Sequence, residues 1–169
     1  TGKMIDGVKL ASLQKHRQPI VDGEMTFADL LKNEGLKLQC GNLAHFAHWI
    51  TPDMMPKRFD THFFAASAPE DHLALHDGYE SVDSVWIRPE VALLEAEEGK
   101  RTIIFPTLRN IEKLARYTTV AEVMDGCIGN PPFPVLPWVE PRDNGNYLCI
   151  PPEAGYDVNE QFMPGGKGK

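Results

Sequence analysis

The residues best suited to chemistry cluster between positions 45 and 83. His45 and His48 stand three apart in L-A-H-F-A-H-W-I, a stretch that predicts a β-strand. Side chains alternate along a strand, so the two imidazoles are expected on opposite faces and not as a compact metal pair. Neither sits in the H-E-x-x-H setting of a zinc protease, and both are expected to be polar edge histidines. His72 and His76, in D-H-L-A-L-H-D-G, fall in a predicted loop and are candidates for a ligand or metal contact. Lys57 and Arg58 stand at the entrance to a second predicted strand, F-D-T-H-F-F-A-A. Arg offers phosphate a forked contact and Lys a compact charge. The competing expectation is a surface charge pair facing Asp60 or water. Asp77, Glu80 and Asp83 flank a glycine-containing turn. Their carboxylates suit Mg2+, the polarisation of water, or general-base work beside a phosphate. An acidic, solvated loop explains the same residues equally well.

Other chemistries are disfavoured. Cys40, Cys127 and Cys149 are odd in number and widely separated, so reduced thiols are expected rather than a disulfide framework or a zinc site. There is no G-x-S-x-G elbow, no phosphate-binding G-x-x-x-x-G-K-[ST] loop and no dinucleotide glycine fingerprint. With 24 acidic against 17 basic residues the formal charge is -7, which opposes broad nucleic-acid binding and attraction to an anionic membrane. No run is apolar enough to span a bilayer and no signal-peptide core opens the chain, so a cytoplasmic location is expected.

These residues need elements to position them. A first helix is predicted over Lys3 to Arg17, with Val8, Leu10, Ala11 and Leu13 as its apolar side. Thr26 can cap a second helix, with Asp29 at its third position and Gly35 at its end. Two strands follow, joined through Pro52 and Pro56, and a third is expected over Val82 to Ile87. Pro89 can open a helix that ends near Gly99, and another is expected from Thr107, burying Ile111, Leu114 and Ala115. Thr119 and Glu122 form a capping-box pattern before V-A-E-V-M-D-G. The last forty or so residues are rich in turn formers, with Y-L-C-I as a short strand and G-G-K-G-K as a flexible end. This order fits an α+β or layered α/β domain.

The stretch W-I-T-P-D-M-M-P-K-R-F-D-T-H-F-F-A-A resembles a subgroup of the Nudix hydrolase superfamily. The match runs through Trp49, Ile50, Thr51 and Pro52, then Arg58, Phe59, Asp60, Thr61, Phe63 and Phe64. It continues in H-D-G-Y-E-S-V-D-S-V-W-I-R-P-E-V-A-L, I-I-F-P-T-L-R-N-I-E-K-L-A, P-V-L-P-W-V-E and I-P-P-E-A-G-Y-D. The resemblance implies an α/β/α sandwich around a mixed sheet, here without its amino-terminal part. It also implies metal-dependent hydrolysis of nucleoside-diphosphate-linked substrates, coenzyme A or nucleotide sugars among them, with Mg2+ or Mn2+. The Nudix box (G, five residues, E, seven residues, R-E-U-x-E-E-x-G-U) is not found, and the chain resembles the portion after it. The main metal ligands are therefore expected outside this chain, which alone is expected to be inactive. A partner chain carrying the amino-terminal half, or a homodimer, is the implied completion. The alternative is a non-catalytic binding or assembly module derived from the same fold.

By the same resemblance Glu80 is the catalytic candidate and an accessory metal ligand. Arg58 is a phosphate-side or structural contact of the active-site sheet, and Lys57, read from its charge and place, is the second substrate-side cation. Trp49, Phe59, Asp60 and Trp86 are structural residues near the site, with Asp60 orienting Arg58 or capping the turn and Trp86 in the core or, alternatively, facing the nucleotide. Residues 1–128 are expected to form the post-box domain, 129–164 a Pro/Gly-rich extension packed on it, and 165–169 a flexible tail.

Overall fold

The computed structural model describes residues 4–68, 84–128 and 130–163. They divide into two compact units, one of residues 4–42 with 68 and 84–85, the other of 43–67 with 86–128 and 130–163. The candidate residues His72, His76, Asp77, Glu80 and Asp83 lie outside the described residues.

The first unit is helical. Asp6 caps α1 (Gly7–Leu13) by accepting from the Lys9 amide at 2.8 Å. A tight turn at Gln14–His16 then separates it from α2 (Arg17–Val21). The single helix expected over Lys3 to Arg17 is thus broken, and Val8, expected on its apolar side, is exposed. For α3 (Phe27–Asn33) the local signals decide: Thr26 and Asp29 cap each other reciprocally, and Gly35 follows at φ 65°.

In the second unit β1 (Ala44–Ile50) pairs antiparallel with β2 (Asp60–Ala65). On its other side it pairs parallel with β3 (Pro134–Val135), giving a small mixed sheet ordered β2-β1-β3. The helices are α4 (Pro89–Glu97), α5 (Phe105–Ala115) and α6 (Val120–Cys127). A separate antiparallel sheet contains β4 (Trp138–Arg142), β5 (Gly145–Cys149) and β6 (Glu160–Met163). The architecture is mixed α/β, with helices and two small sheets and no barrel among the described residues.

Three expectations need correction. Residues 84–87 form no strand, and Val85 and Trp86 are exposed, Trp86 to 73%. Trp86 is therefore not a core residue. Helix α5 starts two residues before Thr107, because Pro106 takes a first-turn position where its missing N–H costs nothing. Its most buried members are Phe105, Arg109 and Asn110, whereas Ile111, Leu114 and Ala115 are half-buried. The carboxy-terminal segment holds a three-stranded meander rather than one strand. Pro141 hides β4 from a sequence reading, yet it is tolerated because β4 is an edge strand. Arg142 pairs with Gly145, so Asp143 and Asn144 make a two-residue turn, with Gly145 at φ 131°.

The core of this unit gathers Phe46, Ala47 and Trp49 from β1, Phe105 from α5, Val135 from β3, and Ile150 and Tyr156 beyond β5. It covers one face of β1, leaving His45, His48 and Ile50 half-buried on the other.

Candidate metal centre

The geometry of the site begins with a register shift. His45 pairs with Phe64 and Ala47 with Phe63, so Phe46 is an extra residue on β1 without a partner across the ladder. Such a bulge resets the alternation of faces. Phe46 and Ala47 are both buried in succession, and His45 and His48 are half-buried on the same side. The expectation that these histidines point to opposite faces is overturned: their ring centroids lie 6.2 Å apart. Helix α5 supports the bulge. Lys113 Nζ donates to the Phe46 carbonyl at 3.1 Å and stands over the Phe46 ring at 4.8 Å, and burial pulls its ammonium below the ordinary lysine range.

Strand β2 is regular. Asp60, His62 and Phe64 are exposed while Thr61, Phe63 and Ala65 are half-buried, the period of two a strand imposes. Because His62 sits directly opposite His48, the two imidazoles stack at 4.1 Å with 19° between their planes. His48 Nε2 lies 2.5 Å from Asp60 Oδ1, and His62 Nε2 lies 3.5 Å from the same oxygen. The other ring nitrogen of His62, Nδ1, is 3.0 Å from His45 Nε2. Burial, then the neighbouring His62 and His48, hold the His45 imidazole below its ordinary range, against a smaller opposing effect of a backbone hydrogen bond at Ala47.

One ligand atom each from His48, Asp60 and His62 falls within 4.8 Å of the others, a cluster able to hold a divalent metal ion. His48 keeps 17% of its side-chain surface, His62 43% and Asp60 64%, so the cluster is open to solvent. Two imidazoles and one carboxylate are a mixed nitrogen and oxygen donor set. Mg2+ favours oxygen ligands throughout, and this set is able to hold a divalent ion without being specific for Mg2+ or Mn2+. The sequence reading missed the cluster because a bulge leaves no reliable local signature. The available hint was two consecutive apolar residues, Phe46 and Ala47.

Arg58 does not engage Asp60. Its Nε donates to the Thr51 carbonyl at 3.0 Å and its Nη2 pairs with Asp53 at 2.7 Å, while the Phe59 amide donates to Thr51 Oγ1 at 3.0 Å. Arg58 thus ties the W-I-T-P end to the R-F-D-T end of the connection, and Asp60 turns to the histidines instead. Lys57 stands over the exposed Phe59 ring at 4.9 Å. Trp49 is buried on the opposite, core side. Its Nε1 donates to Asn110 Oδ1 and to the Tyr156 hydroxyl, each at 3.1 Å, and that hydroxyl donates to Asn110 Oδ1 at 2.8 Å. Beside Asn110, the buried Arg109 pairs with Glu112 through Nη2 at 2.7 Å, but its Nε and Nη1 find no acceptor among the described residues. Sequence reasoning singled out neither residue, since an apolar-face pattern gives no reason to bury them.

The cysteines are free thiols, and burial raises the thiols of Cys127 and Cys149, which disfavours their nucleophilic thiolate forms. An open groove of about 520 Å³ between α4 and α5, bordered by Leu93, Arg101, Leu108 and Glu112, includes none of the histidines. No helix among the described residues is long and apolar enough to cross a membrane. No protein-family model, curated protein or solved structure matches this chain.

Proposed function

We propose that this chain belongs to a metal-dependent hydrolase of nucleotide-linked diphosphates of the Nudix kind, with an α/β/α sandwich as the complete fold. The observation that supports this reading is the buried Trp49–Asn110–Tyr156 network. Trp49 comes from W-I-T-P, Asn110 from P-T-L-R-N and Tyr156 from E-A-G-Y-D, three of the segments that carry the resemblance. Their joining in one hydrogen-bonded knot explains why such distant motifs occur together: they specify one core.

In this reading Lys57 and Arg58, on the connection between β1 and β2, attract the diphosphate. Arg58 is already held by Asp53 and the Thr51 carbonyl, so it orders the connection, while Lys57 offers the more available charge. Mg2+ or Mn2+ would supply charge neutralisation and activation of water. Its main ligands are expected from outside this chain, with Glu80, which lies outside the described residues, as an accessory carboxylate.

The test is hydrolysis by the native full-length protein of a panel of ADP-linked substrates, coenzyme A and nucleotide sugars, with Mg2+ or Mn2+ supplied. Glu80→Gln is expected to lower kcat at least about tenfold with little change in KM, the mark of an interaction made in the transition state. Failure of the native protein to cleave any member of the panel, or an unchanged kcat in the variant, contradicts the assignment.

A further inference from the structure

Beyond the hydrolase reading and independent of it, we propose that the open face of β1 and β2 binds one zinc-class divalent cation through His48, Asp60 and His62, with His45 as the residue that positions His62. The spacing carries this. Zinc bonds of ~2.0–2.1 Å in tetrahedral geometry set neighbouring donor atoms about 3.3 Å apart. The separations from Asp60 Oδ1 to His48 Nε2 and His62 Nε2 are 2.5 Å and 3.5 Å, and all three ligand atoms lie within 4.8 Å. An ion bound by both imidazoles lies in the plane of each, so its entry turns the exposed Asp60 carboxylate and tilts the more exposed His62 ring out of the stack.

The support around the ligands has the form metal sites require. A metal-bound imidazole binds through one nitrogen and hands the proton on the other to an acceptor, which fixes its tautomer and orientation. His62 has both arrangements at once: Nδ1 faces His45 Nε2 at 3.0 Å, and Nε2 faces Asp60 Oδ1. His48 is placed by the ladder itself, directly opposite His62. The bulge at Phe46 is what brings His45 to the face where His62 needs it. Imidazole-rich sets select Zn2+, Co2+, Ni2+ or Cu2+ over Mg2+. Three protein ligands leave a coordination position for water, on a face that solvent reaches.

The experiment is calorimetric titration of the full chain with ZnCl2, with Co2+ absorption as a second readout and no substrate present. One Zn2+ per chain is expected, retained against a thousandfold excess of MgCl2. His48→Ala and His62→Ala are each expected to weaken binding at least about 100-fold, and His45→Ala about 10–100-fold. His45→Gln, which keeps an acceptor near His62, is expected to recover part of that loss, a rescue that a merely structural role for His45 would not give. Asp60→Asn serves as a near-isosteric check, with the urea midpoint confirming that each variant folds. Absence of Zn2+ binding, displacement by Mg2+, or affinity unchanged in the His48 and His62 variants overturns the site. Because no substrate enters the measurement, its failure leaves the hydrolase reading untouched, and the converse holds.

Discussion

Tyr156 shows how one hydroxyl can join residues far apart in sequence. It accepts a hydrogen bond from the Trp49 indole N–H and donates its own O–H to Asn110 Oδ1. Removing it leaves the direct Trp49–Asn110 bond in place, so Tyr156→Phe is expected to cost only about 1 kcal/mol, read from urea denaturation. The pH dependence is more specific. Burial holds the Tyr156 phenol above its ordinary value, outweighing the lowering by Trp49. A group whose pKa is raised by folding contributes stability that is intact below its unfolded value, ~10, and is lost as pH rises through the folded value. Stability of the wild type is therefore expected to fall more steeply above pH ~10 than that of Tyr156→Phe. Parallel decline in both would assign the alkaline loss to other groups. None of this network was legible residue by residue. Trp49 stood out as part of a motif, but the partners of a buried indole are set by tertiary contacts about 60 and 107 residues away.

At the scale of elements, local chemistry was legible and non-local chemistry was not. Thr26 with Asp29, and Thr119 with Glu122, announced their helices because both halves of a capping box lie within one turn. Strands β1 and β2 were legible from aromatic content, yet the face assignment of β1 failed because a bulge depends on the partner strand and on what lies behind it. Lys113 is the residue behind it, reaching from α5 to the Phe46 carbonyl. Lys113→Met keeps the buried stem and removes the donor. The expected result is a loss of about 1–3 kcal/mol in urea denaturation, since a buried carbonyl loses its partner. If the bulge also shifts, zinc affinity falls although Lys113 touches no ligand. A variant as stable as the wild type would mean that the bulge holds without the ammonium. Strands β4 and β6 escaped notice for a different reason. Pro141 and the turn-rich flanks resemble a loop, and only the Arg142–Gly145 pairing turns D-N into a hairpin.

For the molecule as a whole, the mixed α/β class was legible from element order, and the division of the described residues into two units was not. The acidic net charge of -7 described the chain's average and concealed a locally histidine-rich face. On that face His48 stands directly opposite His62, and one extra residue in β1 brings His45 to the same side. The most direct measurement is anomalous diffraction on either side of the zinc absorption edge, from crystals of the full chain grown with ZnCl2. One zinc peak is expected about 2.0–2.2 Å from His48 Nε2, His62 Nε2 and an Asp60 carboxylate oxygen. A β1–β2 face without a zinc peak, or a regular β1 with His45 and His48 on opposite faces, would contradict this site.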